Sequence, residues 1–309
     1  MRRAGQYVRN TYLVYLVDNA VTHIKSATSA HSRDQVSVQS IDTDVGHESA
    51  HHLISGMYNS NDLFVPVTSP AIDTDFLLLG HSDCPHFDQE ISVFHASAAF
   101  ATKITESEVL RTKALALATT AINSTETISE DLSDIYRLYD ILSTTDNQDV
   151  LSQVNDTLVQ LERLTTWVEF AKFSSKKAIT TATGRMLDSV LNHFRDIQAH
   201  VEVNPNSHLY QKMKVYSADY TVLVPLLTHI DTGVGSFDIL PSPASLVAFE
   251  YYRNNTVQGA TYQVRAVLRE SDQRENGTAT HVFPNATVGD NAHALPIPTC
   301  QGQQFCDWA

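Results

Sequence analysis

Long apolar runs are missing from this chain. None reaches 18 residues, and YTVLVPLLTHI (220–230) is among the longest, which excludes a membrane-spanning helix. Basic residues are scarce too: 21 Lys and Arg stand against 35 Asp and Glu, for a net charge of −14. That balance disfavours nucleic acid and anionic membrane as partners, and a polyanion would need a local basic pocket. Cysteine is rarer still. Cys84, Cys300 and Cys306 cannot all pair within one chain, and they are too few for a disulfide-dense scaffold or a four-cysteine zinc ribbon. The opening MRRAGQYVRNTYLVYLVDNA lacks the uninterrupted apolar core of a signal peptide, so the expectation is a cytosolic chain or one whose true start lies upstream. There is no internal repeat and no low-complexity tract.

What is present suits a globular protein. The 309 residues, 42% of them hydrophobic, are enough for one large domain or two modest ones. Five N-x-S/T sequons, at Asn123, Asn155, Asn254, Asn276 and Asn285, point toward a secretory route. The stretch DVGHESAHHLISGM matches the H-E-x-x-H pattern of zinc proteases: His47 and His51 at i and i+4 share a helix face, and Glu48 could polarise a water. A catalytic zinc needs a third protein ligand. The H-x-x-G-x-x-H extension fails at Ile54, which leaves Asp62, Asp73, Asp75 and Glu90 as unspecific candidates. A solvent-facing helix flank is the simpler reading, and no metal or cofactor is expected.

Along the chain, QVSVQS alternates as a strand and IDTDVGHESAHHLISGMY follows with apolar Val45, Ala50, Leu53, Ile54 and Met57 at helical spacing; Ser40, Asp42 or Thr43 can cap that helix. DLFVPVTSP reads as a further strand closed by proline. Between about Ile91 and Gln198 the pattern is helical, with Gly184 the only Gly or Pro. Leu132, Ile135, Leu138, Tyr139 and Leu142 form one stripe there, and Val154, Leu158, Leu161 and Leu164 another. KMKVYSADYTVLVPLLTHI then predicts a strand running into a helix, and SLVAFEYYRNNTVQGATYQVRAVLRESD a two-stranded hairpin with Asn254 in its turn; a Pro- and Asn-rich tail follows. The expectation is a discontinuous α/β domain, 1–90 with 201–309, interrupted by a helical cap at 91–200. Ligands in such folds sit where strands end and helices begin.

The order of these motifs resembles the histidine acid phosphatases, in particular the prostatic and lysosomal branch, over essentially the whole length. AGQYVRNTYL is similar to the helix after that family's catalytic strand, and VSVQSIDTDVGHESAHHLISGMY to its V-x-V-R-S-T-D-x-D-R-T-x-x-S-A segment. FVPVTSPAIDTDFLLLGHSDCPHF resembles the stretch ending in C-P-R-F, GRMLDSVLNHF with KMKVYSADYTVLVPLL the helix and Y-S-A-H-D-T motif, and LPIPTCQGQQFC the closing L-P-G-C-x-x-x-C. The resemblance implies a phosphoglycerate-mutase-like, histidine-phosphatase α/β sandwich with a helical cap. It also implies a phosphomonoesterase in which the histidine of an R-H-G motif attacks phosphorus, arginines clamp the phosphate and a His-Asp pair assists the leaving group.

This chain departs at each of those places. No Arg-His-Gly occurs in the 309 residues, so the first, catalytic strand is expected to be missing and the strands beside it uncovered. Gln39 stands for the arginine of R-S-T-D, a neutral amide for a cationic fork, and Val45 for the second arginine. Asp219 replaces the histidine of Y-S-A-H-D-T and Tyr220 its acid; a one-residue shift would rescue only the acid. A carboxylate there repels a phosphate by about 4 kcal/mol at 4 Å and an effective dielectric of ~20. The expected function is therefore a pseudophosphatase with a binding or structural role in the secretory or lysosomal lumen. A weak or truncated acid phosphomonoesterase and, remotely, the zinc protease are the alternatives. The resemblance further implies a Cys300–Cys306 disulfide and leaves Cys84 without its usual partner. A phosphorylated or other small ligand and a covering partner or second copy are the partners expected.

Overall fold

In a computed structural model the described residues are 1–16, 36–58, 65–122, 128–204, 211–230, 240–256, 259–270, 287–289, 292–295, 297, 300, 303 and 305–308. Of the sequence expectations, Asp62 and the sequons Asn123, Asn276 and Asn285 lie outside them.

Helix α1 (Arg2–Leu16) precedes strand β1 (Val36–Ser40), which feeds α2 (Asp44–Tyr58) and the short β2 (Val67–Thr68). Six helices follow without a strand: α3 (Pro85–His95), α4 (Ala98–Glu106), α5 (Glu108–Ile122), α6 (Ile135–Thr144), α7 (Gln148–Ala171) and α8 (Lys176–Val203). Then come β3 (Met213–Ser217), α9 (Tyr220–Ile230), the hairpin β4 (Leu246–Thr256) and β5 (Gly259–Arg269), and the short β6 (Thr287–Gly289), β7 (Ala292–Leu295) and β8 (Cys306–Asp307).

Local chemistry sets several of these boundaries. Thr43 Oγ1 accepts the Gly46 backbone N–H at 3.1 Å and so caps α2. Ser97, Asn147 and Ser175 accept in the same way from Phe100, Asp149 and Ala178 at the starts of α4, α7 and α8. The apolar stripes fall where the periodicity puts them: Leu132, Ile135, Leu138 and Leu142 are each at most 1% exposed, and Val154 and Leu161 face them across a core made only of helices α3–α7 and their connections. Each such fully buried Leu or Ile contributes roughly 1.5–3 kcal/mol relative to an exposed one.

The strands form two sheets. One is parallel in the order β2-β1-β3, with Val36 to Ser40 in register with Met213 to Ser217. The other is antiparallel in the order β4-β5-β7-β6, with β8 continuing along β5. Both sheets send alternate side chains into the same two cores. Val36, Val38, Val215, Leu246 and Val267 pack toward α1 and α2, whereas Tyr216, Val247, Phe249, Ala266 and Leu268 pack toward α8 and α9. Period-2 alternation thus places the two sheets in one layer between two helical layers.

Three details differ from the sequence reading. The strand expected in DLFVPVTSP is only two residues long. The tail contributes β7 and β8, whose four and two residues are too short for any periodicity to announce; the long edge of β5 selects them. Asn254 lies in β4 opposite Thr261 and donates to Gln263 Oε1 at 2.8 Å, so it is a strand residue rather than a turn residue.

Candidate functional site

Parallel strands β1 and β3 end side by side, with Ser40 opposite Ser217 and the Ile41 N–H bonded to the Ser217 carbonyl at 3.0 Å. Both serines are buried, and Ser217 Oγ donates to the Gly46 carbonyl at the start of α2. The close approach explains Gly46. A Cβ there would lie 2.7–2.8 Å from Ile41 and Ser40 atoms, so only glycine lets α2 turn this tightly off β1.

Around these strand ends the structure gathers acidic and aromatic residues, of which Asp75 and Glu169 are buried. Gln39 Nε2 donates to Asp75 Oδ1 at 3.4 Å. Asp75 is 2% exposed, and the same oxygen accepts the N–H groups of Leu77 and Leu78 at 3.2 and 3.0 Å, organising the turn that leads to His81. Asp75 Oδ2 and His81 Nδ1 are buried without a hydrogen-bond partner among the described residues. Burial lowers the His81 pKa, and the charge of Asp219 partly offsets that. Asp219 caps α9: its Oδ1 accepts from the Thr221 N–H at 2.9 Å and the Thr221 hydroxyl at 2.5 Å.

Tyr220 stacks on Tyr136 of α6 with ring centroids 4.1 Å apart and planes 17° apart. Burial foremost, then Glu169 and other neighbouring acidic groups, drives the Tyr220 phenol well above its ordinary range; the Tyr136 phenol is pushed up to about 12 by burial, then by Asp140, Glu169 and Asp219. Both stay neutral donors at any physiological pH. Glu169 is itself 3% exposed, bonded to Lys172 Nζ at 2.7 Å, with burial raising its pKa against that pairing. Arg185 of α8 rests its guanidinium 5.1 Å above the Phe76 ring, beside Asp75.

Of the residues singled out from sequence, Gln39, Asp219 and Tyr220 all stand at these strand ends. His81, Tyr136, Glu169 and Arg185 were not anticipated, and Asp75 was named only as a metal candidate. Each comes from a separate segment, and none carries a spacing signal. The H-E-x-x-H residues go elsewhere. His47 Nε2 is 2.7 Å from Ser69 Oγ and 3.6 Å from Asp42, tying α2 to the end of β2, while Glu48 and His51 are exposed. Glu90 accepts from Ser175, and Asp73 is exposed. Among the described residues no group of three or more His, Cys, Asp or Glu side chains is placed to hold a metal ion. Cys300 and Cys306 form a disulfide, Cα atoms 5.1 Å apart, and Cys84 is a free, half-buried thiol. Trp167 packs on Phe94, and Trp308 packs on Phe194 and Tyr251.

No family model matches the sequence, and no curated protein aligns with it significantly. Solved structures do match. The phytase from Citrobacter braakii superposes with a TM-score of 0.61 at 11% identity, over 99% of this chain and 83% of that one. The Hafnia alvei phytase in complex with tartrate gives 0.60 at 11% identity over 99% and 82%, and the Klebsiella sp. ASR1 phytase 0.56 at 11% over 100% and 76%. The chain therefore has a mixed α/β, histidine acid phosphatase-like fold. Among the described residues no helix is long and apolar enough to cross a membrane.

Proposed function

We propose that this is a histidine acid phosphatase-like protein that binds at its strand ends but does not hydrolyse phosphomonoesters. The observation that carries the reading is the pairing of Gln39 with the buried carboxylate of Asp75. Where a phosphate clamp would need a cationic fork, this chain offers a neutral amide already bonded to an anion. That pairing disfavours a dianion at Gln39 and suits a neutral ligand that can accept from Tyr136 or Tyr220 and stack on them. Groups that act as a unit in phosphoryl transfer lose nearly all rate when one is removed, and here the clamp positions, Gln39 and Val45, and the acid positions, Asp219 and Tyr220, are all changed. Residues 91–200 serve as a helical cap over the α/β part in this reading. The sequons and the disulfide support a secretory or lysosomal lumen. Of the two sequons on described residues, both asparagines are exposed, although Thr157 of the Asn155 sequon is buried in α7.

The test is hydrolysis of p-nitrophenyl phosphate by purified protein at acid pH, with and without tartrate. The expected result is turnover at the buffer background. Robust, tartrate-sensitive turnover overturns the reading. One observation favours a weak phosphomonoesterase instead: His81 is an imidazole within electrostatic reach of Asp219 at the same strand ends. Activity abolished by His81→Ala would establish that alternative.

A further inference from the structure

Ser40, Ser69 and Ser217 stand at the carboxyl ends of the parallel strands β1, β2 and β3. Ser40 and Ser217 are buried, and their hydroxyls donate to the carbonyls of Ile41 and Gly46 at 2.9 Å. Ser69 differs in both respects. It is only half-buried, and its Oγ lies 2.7 Å from Nε2 of His47 near the start of α2. Asp42 Oδ1 approaches the same nitrogen to 3.6 Å. Strand pairing brings these residues together: Gln39 is in register with Thr68, so the chain leaves β1 toward Asp42 beside the point where it leaves β2 into Ser69. The side chains of His47 and Asp42 are 39% and 46% exposed, open to a molecule arriving from solvent.

We propose that Ser69 and His47 form a nucleophile–base pair that hydrolyses carboxylic esters with an apolar acyl group. Their separation falls within the roughly 2.6–3.2 Å over which an imidazole takes a hydroxyl proton. In the tautomer protonated at Nδ1, Nε2 accepts from the Ser69 hydroxyl. As Oγ bonds to the ester carbonyl carbon, that proton passes to Nε2 and the carbonyl π electrons move onto oxygen. Their return breaks the bond from carbon to the alkoxy oxygen, and the alcohol leaves with the proton from His47. Water then repeats the sequence on the acyl-serine: His47 takes one of its protons, the oxygen bonds to carbon, and Ser69 Oγ leaves and recovers the proton. Asp42 faces Nε2 rather than Nδ1, so it does not orient the ring as a triad acid does; its carboxylate stabilises the imidazolium that exists between the two transfers. The oxyanion has donors in the first turn of α2. Thr43 takes the N–H groups of Gly46 and His47, and those of Asp44 and Val45 have no partner among the described residues. Val45 is 75% and Ile72 48% exposed, one on each of the two segments that carry the pair, so the acyl group meets apolar side chains. The inference does not rest on the reading of Gln39 and Asp75, because it concerns carboxylic rather than phosphoric esters.

The probe is a fluorophosphonate, which bonds to a serine oxygen activated by a base, applied to the full chain; the modified position is read by peptide mass spectrometry. The expected result is modification of Ser69 in the wild-type chain, slowed by about 10²-fold or more in His47→Ala. Turnover of p-nitrophenyl butyrate should fall by a similar factor in His47→Ala and in Ser69→Ala, with the circular dichroism spectrum retained. The site of modification is read on the wild-type chain, so it does not depend on either variant folding. Ser69 left unmodified by excess probe overturns the proposal. So does equal modification of Ser69 in His47→Ala, or turnover in Ser69→Ala equal to that of wild type.

Discussion

Thr221 gives Asp219 a definite task, because its N–H and hydroxyl both point at one carboxylate oxygen and leave that residue capping α9. Removing the cap in Asp219→Ala is expected to cost about 1 kcal/mol. Asp219→Asn keeps an acceptor in the same place and should recover most of that loss. Urea denaturation of both variants checks the assignment, and equal destabilisation by the two would show that charge rather than capping matters. Position 219 was legible in the sequence as a departure from a phosphatase motif, but its use as a cap was not; that depends on the rotamers of two neighbours. Gln39 was legible in the same limited sense. Asp75, which takes the Gln39 amide, lies 36 residues further on, and nothing in the local pattern announces that a 3-10 turn will bury it.

At the level of elements, helices α1 and α2 meet through glycine. A Cβ on Gly5 would lie 2.0 Å from the Leu53 carbonyl oxygen, and one on Gly56 2.1 Å from that of Arg2. Both obstacles are backbone, so an added methyl can be accommodated only by moving one helix off the other. Gly56→Ala is therefore expected to lose about 1–3 kcal/mol as an overpacked contact, even though alanine is the better helix former by about 1 kcal/mol. The comparison variant is Gly184→Ala, on α8, where the nearest atom to the new Cβ is a side-chain methyl of Thr180 at 3.4 Å. It should leave the urea midpoint level or raised; a Gly56→Ala midpoint equal to wild type would refute the tight crossing. The helices themselves were readable because their apolar stripes repeat over many turns. The crossing was not, since a glycine in a helical pattern looks like a weak point until its neighbour is known. Strands β7 and β8 escaped notice for a related reason: β5 selects them through pairing, and a few residues carry no period.

Across the whole molecule, buried histidines couple folding to pH. Burial lowers the pKa of His81, His95, His193 and His229, which come from four different segments, and His193 is held down to about 4 from an ordinary 6.5 by burial and then by the charge of Lys214. Between those two values the unfolded chain binds protons that the folded chain refuses. Stability therefore rises with pH through this window, is fully present above about 6.5, and is lost as pH falls toward about 4. Glu169 works in the opposite sense, since its raised pKa lets the folded state hold a proton that the unfolded state gives up. The contribution of one group is thus best read as a difference. His193→Gln removes the titration while keeping a polar side chain of similar reach in α8, next to Phe194, whose ring in turn stacks on Tyr251. Urea midpoints measured in steps from pH 7 to about pH 4 should converge on the acid side, with the variant losing less stability than wild type across the window. Parallel curves would mean that His193 titrates normally and that its burial is relieved on protonation. In an acidic lumen the difference would matter physiologically, because the wild-type fold would be working on the falling limb of its own stability curve.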